Sequence, residues 1–460
     1  VYGAAAADSL VDTVDDMKVL GYADSRKVVR DRSGRVYVAY RKKYGTGSPY
    51  RIFVRYQDEP GKAWKECNNG VPIDQGPYPN GVANQRVPSI AIGQGRNSGE
   101  QVLHVVWYGV NGPATDKHAN NEQREIKYRR SVIDQKSPCQ DFENEIPISQ
   151  SSGYKDWYQF WQEHPVVIAY GNRVFIAWEG RDDQCPGVSD PGTTKDTVSP
   201  SGVVYLRSSS NAGRTFLAPN AIKRNCDFKM SRPAILANGP ADDPRLYVLA
   251  HVRPAGGGDP AIQWIRSKPG TLLEWENWKP VCKSNWKICD GDNRHVSISR
   301  DSNGQVHAVW WRRNSESSSQ VLYTKFDKGT FKEPSEVDSV GGKKKYRFFP
   351  QIEVDQANND LVHVVWSETE TDVKEEGDLD AWTENKPETP NFKLHGFHAV
   401  KSASAGEFKS VTPFGGSFVA YPRLRSTTET GGPVDLIWAE YAETDSKGNA
   451  QFKILHRKLK

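Results

Sequence analysis

The chain has 460 residues, with 61 Lys and Arg against 57 Asp and Glu, a formal net charge of +4. No basic block stands apart as a nucleic-acid footprint, and no apolar stretch approaches the roughly 18 residues that cross a bilayer, so a nucleic-acid partner and a membrane span are both excluded as expectations. Fourteen Trp, 19 Tyr and 16 Phe against two Met, punctuated by 39 Gly and 28 Pro, indicate an all-β protein rather than a helical one.

The chain begins "VYGAAAADS", a small-residue stretch that reads as the remnant left by signal-peptide cleavage. The apolar pattern that follows, "SLVDTVDDMKVLGY" (9–22), suits a strand, and Leu10, Val14 and Met17 also suit a short helix. The first copy of a recurrent strand comes next, "GRVYVAYRK" at 34, and it returns as "QVLHVVWYG" (101), "NRVFIAWEG" (172), "PRLYVLAHV" (244), "GQVHAVWWR" (304), "DLVHVVWSE" (360) and "GPVDLIWAE" (432). Each copy is preceded by a short apolar run opened by Pro or a basic residue, such as "VPSIAI" (87), "HPVVIAY" (164) and "RPAIL" (232). Each is followed by an alternating strand, for example "EIKYRRS" (125) or "VVYLRSS" (203), and in six copies by an aromatic and then Pro, as in "FLAP" at 216.

Seven units of four short strands, 56 to 72 residues apart, cannot bury their faces singly. The pattern predicts one domain over 1–460, a seven-bladed β-propeller of four-stranded antiparallel blades. The last copy ends after its third strand, so the N-terminal segment is expected to join the C-terminal blade and close the ring without a free edge. The Trp residues that end the second strands, Trp107, Trp178, Trp310, Trp366 and Trp438, are expected as wedges between blades.

Six cysteines, Cys67, Cys139, Cys185, Cys226, Cys282 and Cys289, form an even set with no C-x-x-C spacing. Disulfides in an oxidising compartment, and hence a secreted or cell-surface protein, are expected. Cys282 and Cys289 are the natural local pair, and Cys185 can be tied to Cys226.

Within the turn "RSSSNAGRTF", Ser209, Asn211, Gly213, Thr215 and Phe216 resemble the Asp-box of bacterial neuraminidase repeats, with Asn in place of Asp. The chain is thus similar to the sialidase-like propeller superfamily. The resemblance implies that this turn is structural and lies on the face opposite the binding site. Weaker echoes stand at "QDEPGKAW" (57) and "SASAGEF" (402).

On the other face, the loops entering each first strand carry Arg26, Arg86, Arg232, Arg294 and Arg347, with His164, His295 and Tyr421 in comparable places. Guanidiniums converging on one cleft would bind carboxylate or sulfate. The alternative is that each Arg pairs with an acid of the neighbouring blade. Trp157 and Trp161, in "GYKDWYQFWQEHP", would offer stacking surfaces for sugar rings or a lid. Asp378 and Asp380, in a loop with nine acids, would give hard oxygen ligands for Ca2+, although no cofactor is required by any motif.

Two functions are expected from this pattern. One is a binding propeller for a carbohydrate, an acidic glycan, or a cell-surface partner. The other, implied by the resemblance, is a sialidase or a uronate polysaccharide lyase with Arg232 and Arg294 on the carboxylate and Tyr421, His295 or His164 as base. The early "F/Y-R-I-P" motif of sialidases is absent, since "YRIF" at Tyr50 lacks the Pro.

Overall fold

A computed structural model describes residues 8–21, 26–44, 50–75, 85–110, 124–149, 162–181, 185, 202–254, 257–313, 318–338, 345–370, 393–408, 410–416, 418–425, 433–446 and 449–459. Their strands form seven antiparallel sheets. Alternating apolar residues with β-branched and aromatic side chains favour strands that must be covered on both faces, and stacking sheets around an axis covers them.

Blade 3 shows the pattern. Its strands Gln162–Tyr170, Arg173–Arg181, Gly202–Ser209 and Asn220–Ala221 pair consecutively from the axis outward. The first strands of the other blades are Val28–Arg30, Gln85–Gln94, Phe228–Asn238, Asp292–Arg300, Tyr346–Asp355 and Val419–Arg425, and each touches the next around the ring, blade 7 touching blade 1. Outer strands are short and two end in Pro, Ile146–Pro147 and Lys279–Pro280, positions where a missing N–H disrupts no ladder. Blade 7 has three strands from the C-terminal part of the chain, and Ser9–Val14 supplies its fourth by pairing with Ala450–Lys458. The expected helix is limited to one 3-10 turn, Met17–Leu20, immediately after that strand.

All five expected Trp wedges are fully buried. Trp107 packs with Tyr37, Ala39 and Ile52 of blade 1, and Trp178 with Val106 and Tyr128 of blade 2. Each indole N–H keeps a partner: Trp107 donates to Gln85 Oε1 at 2.7 Å, Trp178 to Gln162 Oε1 at 2.6 Å and Trp310 to Asn293 Oδ1 at 2.8 Å. A wedge this large stabilises the blade interface only if its polar atom is satisfied. Three disulfides, Cys67–Cys139, Cys185–Cys226 and Cys282–Cys289, take up all six cysteines, the first of them joining blades 1 and 2.

Candidate functional site

In blades 2 to 7 the register between first and second strands slips once, between Arg86 and Ser89, Glu163 and Val166, Ser231 and Ala234, Arg294 and Ser297, Phe348 and Gln351, and Ala420 and Arg423. Inside each slip stands one residue with positive φ: Val87 at 48°, His164 and Arg232 at 50°, His295 at 56°, Phe349 at 54° and Tyr421 at 50°. Five of the six precede Pro, which cannot donate to the ladder, so the interruption is written into the sequence. A bulge bends its strand and re-aims the side chain. Non-glycine residues resist this conformation, so six blades hold one strained residue each at the same place.

The bulge side chains meet one another around the axis. Arg232 Nη1 lies 3.0 Å from His295 Nδ1, the His295 ring packs edge-on to Phe349 at 6.0 Å, and Phe349 packs on Tyr421 at 4.3 Å. A second ring faces the bulge from the second strand: Tyr108, Glu179, Trp311, Ser367 and Ala439, each directly after a Trp wedge, and His251, which follows Ala250 at the same place in blade 4. The two rings differ in polarity around the axis. Blades 6 and 7 contribute buried Phe349 and Tyr421, whereas blades 3 to 5 contribute imidazoles, carboxylates and guanidiniums.

Glu179 is the hub of the polar half. Its Oε2 lies 3.0 Å from His164 Nδ1 and accepts from the Arg232 backbone N–H at 3.4 Å. Burial tends to raise its pKa, but the hydrogen bond to His164 and the charges of His164, Arg181 and Arg232 outweigh that and hold it at about 2. Glu163, 3.7 Å from His164 Nδ1, is ion-paired with Arg124. Glu163, His164 and Glu179 present three metal-ligand atoms to one another. Arg124 pairs with the first of these carboxylates, and the Arg232 N–H donates to the second.

His251 lies 3.2 Å from Ser231 Oγ, and burial, then Arg232, His295 and Arg294, push its imidazole well below the usual range. Arg294 is paired with Asp292 and lies over the Trp311 ring, 5.7 Å from its centre. The His295 ring stacks on the same indole, with centroids 6.0 Å apart.

The expected site residues therefore fall into distinct groups. His164 and Arg232 meet at Glu179, Arg294 acts with Arg232 on His251, and all three keep some accessible surface, the side chains of His164 and Arg294 being 11% and 18% exposed. His295 and Tyr421 join the same ring but are fully buried, so they stand behind the surface rather than on it. Arg86 faces Tyr108 across its strand pair in blade 2. Arg347 does not join them: it is buried and ion-paired to Glu368 of its own blade and to Glu336 and Asp338 of blade 5. Trp157, Trp161, Asp378 and Asp380 lie outside the described residues. Glu179 and His251 were missed in the sequence, although their shared position near the end of the recurrent second strand would have found them.

The turn from Ser209 to Phe216 lies at the opposite end of the strands. Ser209 Oγ accepts from the Asn211 and Gly213 N–H groups at 3.2 and 3.0 Å, Asn211 Oδ1 accepts from Thr215 N–H at 3.0 Å, and Phe216 packs edge-on to Tyr128 of blade 2 at 5.0 Å.

No protein-family model and no curated protein matches the sequence. Among solved structures, the chain is similar to a PL25 ulvan lyase bound to a GlcA(1-4)Rha3S unit, at 11% identity and a TM-score of 0.51, over 98% of this chain and 94% of that one. It is also similar to the polysaccharide lyase Uly1, at 10% identity and a TM-score of 0.50, over 96% and 91% of the two chains. The NanB sialidase of Streptococcus pneumoniae aligns at 11% identity with a TM-score of 0.43, over 98% of this chain and 70% of that one. The likenesses to the two lyases show the fold, the propeller architecture expected from the blade pattern.

Proposed function

We propose that the polar half of the axial face binds an acidic polysaccharide through Arg232 and cleaves it beside a uronate by β-elimination, with His164 transferring the proton. The observation that carries this reading is the single carboxylate of Glu179, which holds the His164 imidazole and the Arg232 main chain on one oxygen. A proton acceptor and a guanidinium are thereby fixed as neighbours. A uronate needs that pairing, because removing the proton next to its carboxylate places negative charge on the carboxylate oxygens.

Arg232 takes the carboxylate, and its own orientation is set by His295. His164 removes the proton at C5, the C–H electrons form the C4=C5 double bond, the C4–O4 bond breaks, and the departing oxygen takes the proton. Nothing else is consumed. Glu179, kept ionised at about 2, stabilises the imidazolium that forms on His164 in the way the acid of a hydrolytic triad does. That the ulvan lyase of the same fold holds a glucuronate-containing unit supports the choice of substrate class. The three disulfides support an oxidising, extracellular site of action.

The test is incubation with ulvan and other uronate polysaccharides, following the ultraviolet absorbance of unsaturated ends, with sialosides in parallel. Unsaturated product that disappears in His164→Ala is expected. Retention of the polysaccharide on affinity electrophoresis with no unsaturated product would leave a binding propeller, and release of sialic acid would replace the lyase reading.

A further inference from the structure

Behind the ring of bulges the first strands run on along the axis, and the space between them narrows to a cavity of about 20 Å3 whose lining includes Arg26, Ser297, Gln351, Glu353 and Arg425. That volume takes one water-sized or halide-sized occupant. The charges around it are uneven. Arg26 Nη2 donates to the Ile235 carbonyl at 3.2 Å, and Arg425 Nη1 donates to Glu353 at 3.3 Å. Arg300 stands close enough for its charge to act on Arg26. Glu353 is the one carboxylate in the described lining. The next acid on its strand, Asp355, is occupied by the backbone N–H groups of Ala357 and Asn358.

Arg425 is 9% exposed, and its Nε is buried without a hydrogen-bond acceptor. Desolvation and the charges of Arg425 and Arg300, opposed by that of Glu353, push the Arg26 guanidinium well below its usual range. A guanidinium does not give up its proton in a protein, so the field is relieved by a counter-charge rather than by titration. An orphaned buried donor also calls for an acceptor.

We propose that the axial cavity holds one small monovalent anion, a halide, between Arg26 and Arg425. The anion offers the acceptor that Arg425 Nε lacks and offsets the excess of guanidinium over carboxylate. It sits away from the sugar-binding surface and is independent of the proposed reaction.

The test uses the full chain exchanged into sodium gluconate and titrated with sodium chloride at constant ionic strength. A saturable rise in melting temperature is expected, roughly 3 °C at a hundredfold excess over Kd. Crystals soaked in bromide are expected to show an anomalous peak between Arg26 and Arg425. Arg26→Gln, with its fold verified by circular dichroism, is expected to lose the chloride-dependent rise. The proposal is overturned by a wild-type melting temperature that responds to chloride no more than to gluconate, by bromide crystals with no anomalous peak in the channel, or by an Arg26→Gln protein that still responds as wild type does.

Discussion

Gly213, in the tight turn of blade 3, lies directly against the Tyr128 hydroxyl of blade 2, so that a Cβ on Gly213 would collide with that oxygen. Its φ of +77° adds a second reason for glycine. The same turn gives the Ala212 carbonyl to Arg130 Nη1 at 2.7 Å, so it is a clasp between two blades as well as a hairpin. Gly213→Ala is expected to destabilise the fold by about 2 to 4 kcal/mol, strain and overpacking together. A melting-temperature loss near zero would show that the clasp relaxes freely.

The Glu179–His164 pair predicts a particular acid dependence. The folded pKa of Glu179 is depressed from 4.5 to about 2, so the unfolded chain binds the proton first as pH falls. Its contribution to stability is present above pH about 4.5 and is lost on acidification toward 2. Glu179→Gln is expected to flatten thermal stability across that window and to lower turnover on a uronate substrate by roughly 10²-fold or more. A variant whose stability still falls as steeply as wild type would dissociate Glu179 from this effect.

Arg232 and Arg347 make a contrasting pair of variants. Arg232→Lys keeps the charge and loses the planar fork, so KM on an acidic polysaccharide is expected to rise about tenfold or more with the fold intact. Arg347→Ala strands the carboxylates of Glu336, Asp338 and Glu368 in a buried network and is expected to cost about 3 kcal/mol of stability. Loss of binding in Arg347→Ala without loss of stability would return Arg347 to the cleft.

A histidine pair in blade 6 contributes to the loss of stability at acid pH, beside the buried His104 and His251. His363 and His398 stack with rings 5.2 Å apart, and burial holds them at about 3 and about 4. In the unfolded chain both titrate near 6.5, so protons bind the unfolded state first and stability falls as pH drops from about 6.5 toward 4. His363→Gln is expected to reduce that slope in urea titrations at pH 4.5 and 7.5. An unchanged difference between the two pH values would exclude the pair as its source.

The disulfides differ in leverage. Cys67–Cys139 closes 72 residues and Cys282–Cys289 closes seven. Chain entropy alone then gives about 4 kcal/mol for the first and about 2 kcal/mol for the second. Paired Cys-to-Ser variants compared by chemical denaturation are expected to keep that order.

Much of the fold was legible because the blades repeat the same local requirements: an apolar run, a Pro or basic residue near its start, in five blades a Trp in the second strand, and in six an aromatic with Pro on the edge. Ser9–Val14 completing blade 7 followed from a count of strands. The site was only partly legible. His164, Arg232, His295 and Tyr421 are found by aligning the starts of the first strands, yet nothing in their spacing says that Tyr421 and His295 are buried while His164 is open. Glu179 follows a Trp and looks like a surface acid, although it becomes the common acceptor for two blades. Arg347 resembles its counterparts in sequence and is claimed instead by carboxylates of blade 5.

The sequence alone thus determined the number of blades, their strand order, the closure by the N-terminal segment and the local Cys282–Cys289 pair, because these depend on periodicity and short separations. Only the tertiary structure decided which blade-start residues keep accessible surface, which guanidiniums are paired and which are buried. Those outcomes turn on distances between residues tens to hundreds of positions apart, and on desolvation, which a linear pattern does not carry.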